Sequence, residues 1–94
     1  MLTLNLLANM LERIISELRR RYGEVVIDKI VERKTKFEIY MTMCGRRVKV
    51  ILDKRNVKVR VYSGLTGMDI SLRRVFTREY MKELRMKQRG KESL

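Results

Sequence analysis

Between Lys36 and Tyr62 the chain alternates apolar and polar residues with a period of two, in three successive runs. Phe37, Ile39, Met41 and Met43 alternate with Lys36, Glu38, Tyr40 and Thr42. Val48, Val50 and Leu52 alternate with Arg47, Lys49, Ile51 and Asp53, and Val57, Val59 and Val61 alternate with Lys58, Arg60 and Tyr62. Successive side chains of a strand point to opposite faces, so each run is a strand with one face for a core and one for water. The separators Cys44-Gly45-Arg46 and Lys54-Arg55-Asn56 are short enough to be hairpin turns, which makes the runs an antiparallel meander. An earlier segment, Val25 to Val31, extends the sheet to four strands. Its spacing, Val25-Val26-Ile27 and then Ile30-Val31, breaks the alternation and predicts either a bulge or burial on both faces.

A sheet with one apolar face needs a cover, and both flanks of the meander supply helical periodicity. Leu4, Leu7, Leu11, Ile14, Leu18 and Tyr22 recur at spacings of three and four, with Thr3 as N-cap, Arg19, Arg20 and Arg21 in the last turn and Gly23 just beyond it. Leu2, Leu6 and Met10 form a second apolar stripe. A helix apolar on more than one side is either sandwiched in its own chain or paired with another, so a homodimer through Leu4, Leu7, Leu11 and Ile14 is one expectation. Gly64-Leu65-Thr66-Gly67 reads as a loop. Beyond it Leu72, Phe76, Tyr80 and Leu84 are spaced by four, with Val75 beside them. Residues 68–76 fit either the start of one helix from about Ser71 or a short strand before a helix capped by Thr77. Residues 87–94, with Lys87, Arg89 and Lys91, read as a basic C-terminal tail. The expected fold is therefore α+β: an N-terminal helix, a three- to four-stranded antiparallel meander and a C-terminal helix, in a single domain over residues 1–86. A chain of 94 residues supplies one modest core.

Charge narrows the function. The chain holds 23 Lys and Arg against 11 Asp and Glu, a formal net charge of +12 without any His. Such a field opposes compaction by self-repulsion, and an anionic partner is the natural reason for a small domain to hold it. Residues 24–63, the sheet-forming part, contribute half of the surplus. The pleat places Lys36, Tyr40, Arg47, Lys49, Lys58, Arg60 and Tyr62 on the face away from the core, with Glu38 and Asp53 as its acids. Cations that track phosphates, beside phenol rings on which bases stack, are what a single-strand binding surface requires. Each of these residues alone also suits an ordinary solvated sheet face, where Lys and Arg guard edges and Tyr improves cross-strand pairing. Their shared face and sign favour a non-catalytic nucleic-acid-binding protein, with single-stranded DNA or RNA as the partner. Arg19-Arg20-Arg21 and Arg73-Arg74 are secondary candidates for phosphate contact.

Other chemistries find less support. A lone Cys44 forms no disulfide within the chain, and without His it assembles no zinc site, so a reducing interior, a cytoplasmic location and no cofactor are expected. The opening Met1–Leu11 has no basic region before it and is too short to span a bilayer. The scarcity of Gln and the abundance of Arg, Lys, Val and Ile lean towards a thermophilic source. Two alternative functions follow from the pattern. One is an interaction module that dimerises through the first helix. The other is a metal-dependent nuclease, since Asp28 followed by Glu32-Arg33-Lys34 has the residue types of a D…E-x-K metal site, although here the Asp and the Glu lie four positions apart in one strand.

The order of helix, four-stranded antiparallel sheet and basic helix in a short His-free chain resembles the archaeal ThermoDBP-type single-stranded DNA-binding proteins. That resemblance implies a sheet-side cleft lined by apolar and basic residues, and association as dimers. It covers most of the chain as architecture and transfers no site residue.

Overall fold

A computed structural model describes residues 1–92, with side chains as far as Met86. The elements run α1 (Leu4–Tyr22), β1 (Val25–Glu32), β2 (Lys36–Met43), β3 (Arg46–Asp53), β4 (Val59–Tyr62) and α2 (Thr66–Glu92). The four strands form one antiparallel sheet in sequence order, so the chain is α+β with a helix at each end of a meander. The expected basic tail over residues 87–94 lies outside the described side chains, and residues 93–94 lie outside the described backbone.

The β2–β3 and β3–β4 hairpins close as their sequences allow. Cys44 and Gly45 both take positive φ, 52° and 73°, the geometry of a two-residue turn whose twist matches that of the flanking strands. The Lys54–Asn56 turn is tied by Asp53, whose Oδ1 accepts the backbone N–H groups of Arg55 at 2.8 Å and Asn56 at 2.9 Å. Those bonds hold the Asp53 carboxyl below its ordinary range. β4 is shorter than its alternation: Val57 and Lys58 belong to the turn, and the strand starts at Val59. In β1 the register with β2 shifts between Ile27 and Lys29, which leaves Asp28 as the extra residue of a bulge.

Both helices cover the same face. Phe37, Ile39, Met41, Met43, Val48, Val50, Leu52, Val59 and Val61 form one core with Leu7, Met10, Leu11, Ile14 and Leu18 of α1 and Leu72, Val75, Phe76 and Tyr80 of α2. Thr3 caps α1 by accepting the Leu6 N–H, and Gly23 ends it at φ 83° with its N–H on the Arg19 carbonyl. The seam expected for a homodimer through Leu4, Leu7, Leu11 and Ile14 is corrected here, since three of its four residues belong to the chain's own core. Leu7, Leu11 and Ile14 are buried within their own chain, and only Leu4, half exposed, remains open. The second stripe is also engaged internally: Leu2 and Met10 are buried, and the Leu2 N–H donates to the Lys54 carbonyl at 2.7 Å. The helix is apolar on two sides because one meets the sheet and the other meets α2.

Residues 68–76 are helical, and the Gly64–Gly67 loop is shorter than expected because α2 begins at Thr66. Asp69, in the first turn, accepts both the backbone N–H of Ser63 at 2.8 Å and its hydroxyl at 2.6 Å, which ties the end of β4 to the helix start. At the other end of the sheet the Tyr80 hydroxyl donates to the Asp53 carbonyl at 2.6 Å. The helices run antiparallel, joined by Tyr22 at the end of α1 to Ser71 near the start of α2 and by Arg13 at the middle of α1 to Glu79 and Glu83 further along α2.

Candidate functional site

With both helices on one side, the opposite face of the sheet is open, and strand register sorts its residues into rows. Lys29, Tyr40, Lys49 and Tyr62 are cross-strand neighbours from β1 to β4. On one side of this row lie Val31, Glu38, Ile51 and Arg60, followed by Lys36 paired with Asp53. On the other side Val26 and Thr42 continue to Arg47. All seven sequence-predicted residues, Lys36, Tyr40, Arg47, Lys49, Lys58, Arg60 and Tyr62, thus sit on or beside one surface, with Lys58 entering from the turn before β4 rather than from the strand. Lys36, Lys58 and Arg60 border a shallow depression of about 200 Å³ floored by Ile51.

The two tyrosines have different surroundings. Tyr40 is half-buried, with the Lys29 ammonium 5.0 Å and the Lys49 ammonium 5.5 Å from its ring centroid, and its hydroxyl donates to Glu38 Oε1 at 3.0 Å. Such contacts fix the ring and orient both lysines over it. Tyr62 is 53% exposed and ends the same row on β4, the outer strand. Tyr62 is therefore the ring with a free face, and Tyr40 is a support that positions cations.

The acids of this face are tied down. Glu38 is only 6% exposed, covered by Arg33 and Lys36, whose donor nitrogens lie 3.4 and 3.9 Å from Oε2. The hydrogen bond from Tyr40, supported by Arg33 and opposed by burial, holds its carboxyl below the ordinary range. Asp53 closes the turn, and Asp28 accepts the Thr42 hydroxyl at 2.7 Å. Arg47, Lys49, Lys58 and Arg60 form no ion pair among the described residues. The face thus presents cations outward while its carboxylates are held in internal contacts.

The chain matches no protein-family model, no curated protein and no solved structure.

Simple alternation does not place Lys29 on this face, because the bulge at Asp28 reverses the parity of β1. The signal was the broken alternation itself. The Asp28…Glu32-Arg33-Lys34 grouping does not converge. Asp28 faces Thr42 on the open side, whereas Glu32 reaches Lys54, 2.7 Å away, whose ammonium lies over the buried Phe37 ring. Among the described residues no cluster of three or more His, Cys, Asp or Glu is placed to hold a metal ion. No described helix is long and apolar enough to cross a membrane.

Proposed function

We propose that the open sheet face binds single-stranded nucleic acid without catalysis. The observation that supports this reading is the row Lys29, Tyr40, Lys49, Tyr62, which alternates cation and aromatic ring across all four strands and is flanked by Arg47 and Arg60. Lysines held against the Tyr40 ring offer ammonium groups at fixed positions for successive phosphates, and the exposed face of Tyr62 offers a base a platform. Stacking tolerates any base because each has a π-face, so affinity depends more on strandedness and salt than on sequence. Kinship with the ThermoDBP-type proteins belongs to this proposal and is not a support for it, since it rests on element order alone.

Fluorescence anisotropy of labelled single- and double-stranded oligonucleotides, titrated at several salt concentrations, tests the reading. Single strands are expected to bind more tightly at physiological salt. If five phosphates are neutralised, the single-strand rule of roughly 0.7 per phosphate gives log K against log salt a slope near −3.5. Tyr62→Ala is expected to lose about 1–3 kcal/mol, the worth of one stacked base, or about 5- to 150-fold in Kd. Tyr40→Phe keeps the ring between the two lysines and is expected to bind within about 3-fold of wild type, less than a single hydrogen bond is worth. Equal binding of single and double strands that disappears at physiological salt would refute the reading.

A further inference from the structure

The second basic surface lies on the opposite side of the molecule. Leu72, Val75, Phe76 and Tyr80 press α2 onto the core, so the far side of the helix presents Ile70, Arg73, Arg74, Met81 and Arg85, all exposed. The carboxylates of α2 as far as Met86 are turned away from it. Asp69 holds Ser63, while Glu79 and Glu83 are buried against Arg13. Arg78 is engaged by Glu17 and Glu79, but Arg73, Arg74, Lys82 and Arg85 form no ion pair among the described residues. Arg21, from the last turn of α1, enters the adjoining groove beside Gly67, Ile70 and Arg74. The result is a helix face that is cationic without acids, produced by placing every described acid of that helix on its inner side.

We propose that this face of α2 holds the phosphodiester backbone of a second nucleic-acid segment, so that one chain bridges two segments from opposite sides. The inference rests on the sheet-face reading for the first segment. Three of the four unpaired cations are arginines, whose planar forks match phosphate oxygens bidentately. From Arg73 to Arg85 the helix axis advances about 18 Å at 1.5 Å per residue, comparable to about five nucleotide steps of about 3.4 Å. Among the described residues Ile70 and Met81 are the large apolar side chains centred on this face, too little surface to anchor a helix in a bilayer. Among the described residues the face carries no aromatic ring, so it grips backbone and leaves bases unread, in contrast to the sheet.

Two non-complementary single strands, one bearing a donor and one an acceptor fluorophore, are mixed with the full chain. Energy transfer is expected to rise to a maximum and then fall with excess protein, as separate molecules saturate each strand. The triple variant Arg73→Glu, Arg74→Glu, Arg85→Glu, and its milder counterpart with Gln at the same positions, are expected to lose the transfer. Both are expected to bind one oligonucleotide within about 3-fold of wild type. Transfer unchanged in both variants overturns the proposal, as does wild-type protein that binds one strand but shows no transfer at any ratio; the sheet reading survives either result. Failure of wild type to bind any oligonucleotide removes the sheet reading as well. Two further outcomes overturn bridging by one chain: a protein that light scattering shows to be a dimer and the variants make monomeric, and loss of binding to phosphatidylserine vesicles, rather than of transfer, in the variants.

Discussion

Replacing Arg13 with methionine is expected to lower the free energy of unfolding by about 2–3 kcal/mol, and the melting temperature by about 10–20 °C for a domain of this size. Its Nε and Nη2 each lie 2.8 Å from a carboxylate of α2, Glu79 and Glu83, which are 7% and 4% exposed. Removing the guanidinium leaves Glu83 without an ion pair among the described residues and Glu79 with Arg78 alone. The cost stays below the ~3–5 kcal/mol of a fully buried broken pair because Arg13 itself keeps some contact with water. Methionine retains most of the aliphatic packing, so the loss reports charge rather than volume.

The same substitution changes the response to acid. Burial pushes the Glu79 carboxyl up, but hydrogen bonds from Arg13 and Arg78 outweigh it, and the group titrates below its ordinary value in the folded chain. A carboxyl depressed by folding contributes stability that is fully present above its unfolded pKa, near ~4.3, and lost as pH falls through the folded value. The gap between wild type and Arg13→Met is therefore expected to be widest at neutral pH and to narrow as the pH drops through the carboxylate range. Urea melts at neutral pH, and at two points below it, measure this. A gap of less than about 0.5 kcal/mol at neutral pH would show that the network contributes no more than an ordinary exposed ion pair.

The second large effect concerns binding. Arg47→Glu combined with Arg60→Glu is expected to weaken single-strand affinity by about 150-fold, from the loss of two charged contacts at about 1.5 kcal/mol each. Both side chains are exposed on the open face and neither pairs with a carboxylate among the described residues, so the variant is expected to melt close to wild type. Its salt slope is expected to be shallower by about 1.4, the contribution of two phosphates at roughly 0.7 each. Unchanged affinity in a folded double variant would remove this face from the binding surface.

The meander was legible because half-buried strands impose a period of two on whole runs of sequence, and Phe37–Met43 and Val48–Leu52 keep an apolar residue at every core-facing position. Three features were not legible, each for a physical reason. At β1 a single extra residue, Asp28, changes which side chains share a face, so Lys29 joins Tyr40 although simple counting gives no consistent parity. Residues 68–72 alternate Met-Asp-Ile-Ser-Leu as a strand would, and it is the contact of Ser63 with Asp69 that ties this segment into a helix start. The stripes of α1 report burial but not by what, and the partner surfaces prove to be the sheet and α2 of the same chain. Within the site, alternation located the cations but not their state. Alternation puts Glu38 among the outward-facing acids, whereas Arg33, Lys36 and Tyr40 close over it. That cover depends on how long side chains fold back across neighbouring strands, which no spacing rule encodes.

The most direct measurement is photocrosslinking of the full chain to a single strand carrying 5-bromouracil, followed by identification of the modified peptide. Bromouracil reacts efficiently with an aromatic ring stacked against it, and Tyr62 is the sheet-face ring with an exposed surface. The expected result is a dominant crosslink at Tyr62, lost in Tyr62→Ala. Crosslinks confined to α1 or α2, with Tyr62 unmodified under saturating oligonucleotide, would contradict base stacking on the sheet.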